Sequence, residues 1–253
     1  AELKPADPLV KDLIRLGDEH KEKEDFKKAI EFYTKAIELE PKYCPAWKKR
    51  GAVYYIAGQY QEAIKDFNED IRLNPEDAFA WSWRGMVYSS LGQYQDAIKD
   101  FDESIRLYPK SGSAWTERGN AYLKLGQYQE AVKNLDEAVK LNPEYVYGWY
   151  YRGCAYFELQ QYQEAIKSFD EALKLKPDLL DVRKRREEAY AKLMPGEKVD
   201  RVEMNLKSIA EEPMIKGMEQ LKMGNFNKAI EFFIHVTELD PGFDVSWDYI
   251  GFA

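Results

Sequence analysis

Apolar residues along this chain recur mostly at helical spacing, and the helical pattern itself repeats. Trp47, Gly51 and Tyr54 stand at i, i+4 and i+7, one face of an α-helix, and Ala63, Phe67 and Ile71 do the same on a second helix. Between them "AGQY" interrupts the pattern, with a glycine suited to the left-handed conformation that ends helices. "LNP" closes the block, because proline cannot continue a helix. The stretch "WKKRGAVYYIAGQYQEAIKDF" at 47–67 returns at 81–101, 115–135 and 149–169, each time 34 residues on. This predicts helical hairpins that cannot cover their own apolar faces, so that stacked neighbours build a core along the array.

Extending the frame gives units at 10–43, 44–77, 78–111, 112–145 and 146–179. The first unit has Leu13 in place of the tryptophan but keeps Gly17, Phe26, Ala29 and Pro41. With Trp47, Gly51, Tyr54, Gly58, Tyr60, Ala63, Phe67 and Pro75 as the marks of one unit, the chain resembles the tetratricopeptide repeat family. The resemblance implies an all-α fold, a right-handed α-solenoid of helix-turn-helix repeats. It also implies a concave groove lined by the first helix of each unit, where members of the family mostly bind peptides or partner segments.

Five tandem repeats are therefore expected over residues 1–179. Residues 180–209 read as a capping helix and connector, with a degenerate repeat packed in line as the alternative. The frame returns in 210–243 with Gly217, Gly224, Phe226, Ala229, Phe233 and Pro241. Residues 244–253 form half a repeat, and Trp247 and Ile250 would lack a covering helix, which points to a longer natural protein or to pairing with another chain.

Charge narrows the function. The formal net charge of −8 opposes phosphate-backbone binding, so no nucleic-acid partner is expected. No run of about 18 apolar residues occurs, so no membrane span is expected; no secretion signal is seen, and a cytoplasmic location fits. Two cysteines, Cys44 and Cys154, and two histidines, His20 and His235, lack the spacing of a metal site. No nucleophile elbow, phosphate loop or HExxH pair is present, and neither an enzyme nor a cofactor is expected. Arg50, Arg84, Arg118 and Arg152 recur one before each glycine; each pairs with an acidic neighbour, or together they form a ladder for an acidic ligand.

If the repeat marks make the fold, function belongs where the first helices differ on their non-core side. The resemblance places Arg15, Lys48, Lys49, Tyr55, Phe79, Trp83, Met86, Thr116, Glu117, Asn120, Tyr150 and Tyr151 there. Phe79, Trp83, Met86, Tyr150 and Tyr151 would anchor a partner segment, being aromatic or adaptable side chains with few charges around them; the alternative is that several of them, Trp83 and Tyr150 included, pack between neighbouring first helices. Thr116 and Asn120 would hydrogen-bond its backbone; Arg15, Lys48 and Lys49 would receive acidic residues. Trp83 stands where the fold leaves a free choice, so Trp83→Ala should cost little stability while Trp81→Ala costs several kcal/mol. Family members that clamp a C-terminal carboxylate need a lysine and an asparagine where Ile14 and Asp18 stand, an asparagine where Lys49 stands, and a lysine and an arginine where Phe79 and Trp83 stand, and Glu117 spoils a later frame, so that mode is not expected. The reading is a noncatalytic scaffold for a protein or peptide ligand carrying acidic and apolar residues. Self-association through the incomplete terminal hairpin, or a regulatory domain cut from a larger enzyme, are the alternatives.

Overall fold

The computed structural model describes residues 7–193, together with the helical positions Lys216, Gln220 and Lys228. The expected repeat at 210–243 and half repeat at 244–253 thus fall essentially outside the described residues. Among these residues the chain is all helical: α1 Pro8–Glu22, α2 Phe26–Leu39, α3 Cys44–Ile56, α4 Tyr60–Leu73, α5 Ala78–Ser90, α6 Tyr94–Leu107, α7 Gly112–Lys124, α8 Tyr128–Leu141, α9 Val146–Glu158, α10 Tyr162–Leu175 and α11 Leu180–Leu193. The chain divides into one unit over 1–160, holding α1 to α9, and another over 161–253, holding α10 and α11.

Helix ends follow local chemistry. Asp7, Asp25, Asp77 and Ser111 cap α1, α2, α5 and α7 by accepting from backbone N–H groups of the first turn. Gly58, Gly92 and Gly126 take the left-handed turn after α3, α5 and α7, with φ near +74° at the first two. After α9 the same conformation falls on Gln160, at φ +60°.

Within the first unit the helices pack as hairpins, α1 with α2, α3 with α4, α5 with α6 and α7 with α8, and each second helix also packs on the next first helix. A buried ring or leucine of the second helix sits on the glycine of the first: Tyr33 on Gly17, Phe67 on Gly51, Phe101 on Gly85 and Leu135 on Gly119. A Cβ at Gly85 would lie 2.8 Å from Phe101 Cε1, too close for any real contact.

The tryptophans fasten neighbouring units. Nε1 of Trp47, Trp81, Trp115 and Trp149 donates to the carbonyl of Pro41, Pro75, Pro109 and Pro143, at 2.8–2.9 Å. Over each indole lies the arginine three residues on, for example Arg84 at 4.9 Å from the Trp81 ring. Arg50 and Arg84 make paired bonds to Asp66 and Asp100 of their own hairpins and reach back to Thr34 and Asn68. Arg118 bonds Asn134 and Asp102, and Arg152 bonds Asp136. The arginine series is a set of internal ties, so the ladder for an acidic ligand is set aside.

In the second unit α10 and α11 pack together. Arg183 and Arg186 stand 34 residues after Trp149 and Arg152. Arg183 donates to the Pro177 carbonyl, as each tryptophan does to its proline, and Arg186 pairs with Asp170 at 2.9 Å. With Val182 and Ala189 also buried, α11 makes the contacts of a first helix.

Candidate interaction groove

Direct contact of α3 with α5, α5 with α7 and α7 with α9 brings the first helices of the first unit into one continuous surface. Its N-terminal part holds the basic residues expected there, but their charges are matched from within. Exposed Arg15 pairs with Glu19 at 2.5 Å and Asp12 at 3.6 Å on its own helix. Lys49 binds the Asp18 carboxylate at 2.8 and 2.9 Å, and Asp18 also accepts from the buried Tyr33 hydroxyl. Lys48 binds Asp77, the N-cap of α5.

Beneath this region lies Asp70, fully buried on α4 with neither carboxylate oxygen hydrogen-bonded. Burial pushes its carboxyl up to about 7, with nearby Lys48 opposing the rise and Asp77 adding to it. The residue 34 positions on is the buried Ser104.

Aromatic side chains fill the middle. Trp83 lies nearly parallel to Phe67 of the preceding hairpin, ring centres 6.2 Å apart, and meets Tyr55 edge-on at 5.9 Å. It packs on the cluster of Ala63, Phe67 and Val87. Trp83 therefore carries stability as well as surface, unlike the sequence expectation: its position points back onto the previous repeat. Phe79 is 61% exposed, whereas Met86 is half-buried. Thr116 is fully buried, and its hydroxyl donates to the Gly112 carbonyl at 2.9 Å, so it is not offered to a partner backbone. It faces Gly148 of α9, where a Cβ would come within 3.6 Å of the hydroxyl.

Past Thr116 the surface changes character. Glu117 is half-buried, its carboxyl raised by burial, with the Asn120 side chain as its hydrogen-bonding neighbour. Asn120 Oδ1 is buried and receives no hydrogen bond. Beyond them stand tyrosines: Tyr145 and Tyr147 at 5.6 Å, Tyr147 and Tyr151 at 6.2 Å, Tyr150 and Tyr151 at 5.4 Å between ring centres. Burial raises the Tyr151 and Tyr145 hydroxyls, and the Glu117 charge raises both further. Tyr151 also packs on Leu123 against the buried Ala131 and Leu135. Tyr145, the N-cap of α9, was not anticipated as part of this surface; a loop aromatic has no helical period to reveal it.

Among the described residues there is no group of three or more His, Cys, Asp or Glu able to hold a metal ion. Nor is any described helix long and apolar enough to cross a membrane.

Comparison with known proteins agrees with the repeat architecture. Sequence profiles described as tetratricopeptide repeats match residues 10–43 and 78–111, 32–65, 116–179 and 214–243, and a TPR repeat profile matches 51–92. No curated protein matches the sequence significantly. A tetratricopeptide repeat protein from Parabacteroides merdae superposes with a TM-score of 0.65 at 18% identity, over 94% of this chain and 96% of that one. YrrB, described as a TPR protein with an unusual peptide-binding site, gives 0.59 at 21% identity, over 72% and 100%. MamA gives 0.59 at 24% identity, over 67% and 93%. With the same 34-residue frame in its sequence, its hairpins and its profile matches, the chain belongs to the tetratricopeptide repeat family.

Proposed function

We propose that the protein is a noncatalytic interaction scaffold that holds a partner segment along the first-helix surface of residues 1–160. The observation that carries this reading is the aromatic surface of α5 and α9. Phe79 and Tyr147 are 61% and 45% exposed, beside half-buried Trp83 and Tyr151. Large aromatics set around a partly covered centre form the composition of a binding hot spot. Phe79, Trp83, Met86, Tyr55, Tyr150 and Tyr151 are the contacts proposed for the partner's apolar side chains, with Asn120 and Glu117 as polar ones. Internal pairing of Lys48 and Lys49 favours apolar over acidic recognition at the N-terminal part. That YrrB is described by its peptide-binding site supports a peptide-like ligand by analogy.

Peptides selected from a random display library against the full chain provide the test. Phe79→Ser and Tyr147→Ser, at exposed sites, should leave the melting temperature within a few degrees yet weaken those peptides about tenfold or more. Unchanged affinity in both variants would reject the groove.

A further inference from the structure

Between its aromatic flanks the proposed groove holds a carboxylate with no cation beside it. Glu117 has no cation within ion-pair distance among the described residues, in contrast to Asp18 and Asp77, which Lys49 and Lys48 neutralise. Its hydrogen-bonding neighbour Asn120 leaves Oδ1 buried and unsatisfied. A desolvated carboxylate without a counter-ion and a buried amide oxygen without a donor are each costly unless something supplies N–H groups.

The repeat register tells what surrounds them. Thirty-four residues before Glu117 stands Trp83, which meets Tyr55 edge-on; the same offset carries that pair of positions to Glu117 and Ser89. Ser89 Oγ is itself buried without a hydrogen-bond partner. Small Ser89 stands where the preceding repeat has Tyr55, so the Trp83–Tyr55 ring pair has no aromatic counterpart one repeat on. A carboxylate bordered by tyrosine rings suits a cation, which gains ion pairing and cation–π attraction together.

We infer that Glu117, Asn120 and the tyrosines Tyr145 and Tyr151 form a receptor for one lysine or arginine side chain of the partner segment, set between its apolar anchors. This rests on the groove reading and gives it a chemical class: an apolar segment with a central basic residue, the net charge of −8 favouring the same sign. Guanidinium or ammonium N–H groups satisfy the carboxylate and the Asn120 oxygen at once.

Glu117→Gln and Glu117→Lys in the full chain, measured against the display-selected peptides, test it. The selected peptides should share a lysine or arginine, and Glu117→Gln should weaken them at least tenfold, as does replacing that residue by alanine in the peptide. The two changes made together should cost little more than either alone. Without peptide, Glu117→Gln should raise the melting temperature, because it removes a desolvated carboxylate; a purely structural Glu117 would lower it. Peptides that bind through Phe79 and Tyr147 but lack a shared basic residue, or tolerate Glu117→Gln, overturn the cation site alone. Absence of any selected peptide, or binding indifferent to Phe79 and Tyr147, overturns the groove and this site with it.

Discussion

Asp70 is where a single residue most clearly opposes the fold. In the unfolded chain its carboxyl titrates near the ordinary 3.8; folding raises it to about 7. The folded chain therefore binds an extra proton between these values, and stability falls as pH rises through that window, by at most about 1.4 kcal/mol per pH unit. Asp70→Ser, copying Ser104, should raise the urea midpoint clearly at pH 8 and much less at pH 5. Equal gains at both would show that the carboxyl titrates normally. A smaller strain sits at Gln160, a non-glycine in the left-handed region, like Glu24 after α1, where the turns after α3, α5 and α7 use glycine. Gln160→Gly should stabilise by about 0.5–1 kcal/mol in chemical denaturation. Loss of stability would mean that the side chain makes contacts outweighing the backbone strain.

Helices show why some positions vary and others do not. Glycine in a helix costs about 1 kcal/mol relative to alanine, yet Gly85 must stay small because Phe101 lies against it. Overpacking outweighs the propensity gain, so Gly85→Ala should destabilise by about 1–2 kcal/mol in urea titration, whereas propensity alone would make it stabilising. Periodicity made these contacts legible: the glycine, ring and alanine marks, the hairpins and the turns all follow from the 34-residue frame. It was less able to sort the positions left over. Thr116 has the register of a groove residue, but a short side chain can turn back to its own helix, and there it bonds the Gly112 carbonyl. Trp83 has the register of a free position, but an indole is long enough to reach Phe67 of the preceding hairpin. Consequently Trp83→Ala should destabilise by about 1–3 kcal/mol, less than Trp81→Ala, which also loses the bond to Pro75 and the cover of Arg84. Thermal denaturation of both variants decides this; a neutral Trp83→Ala would show that Phe67 is covered without it.

Across the whole molecule, repetition and difference carry separate jobs. The Trp–Pro and Arg–Asp ties recur through the units and hold neighbours together, which suits a protein whose stability comes from adjacent contacts. Charge pairing was not visible in the sequence. Lys49 and Asp18 are 31 positions apart and Lys48 and Asp77 are 29, neither the repeat period, so a surface that reads as basic is internally neutralised. What remains distinctive is an aromatic first-helix face with an uncompensated carboxylate in it. Amide hydrogen exchange of the full chain with and without a display-selected peptide locates the partner most directly. Protection should concentrate on the first helices α5, α7 and α9; protection confined to the second helices α4, α6 and α8 would contradict the groove.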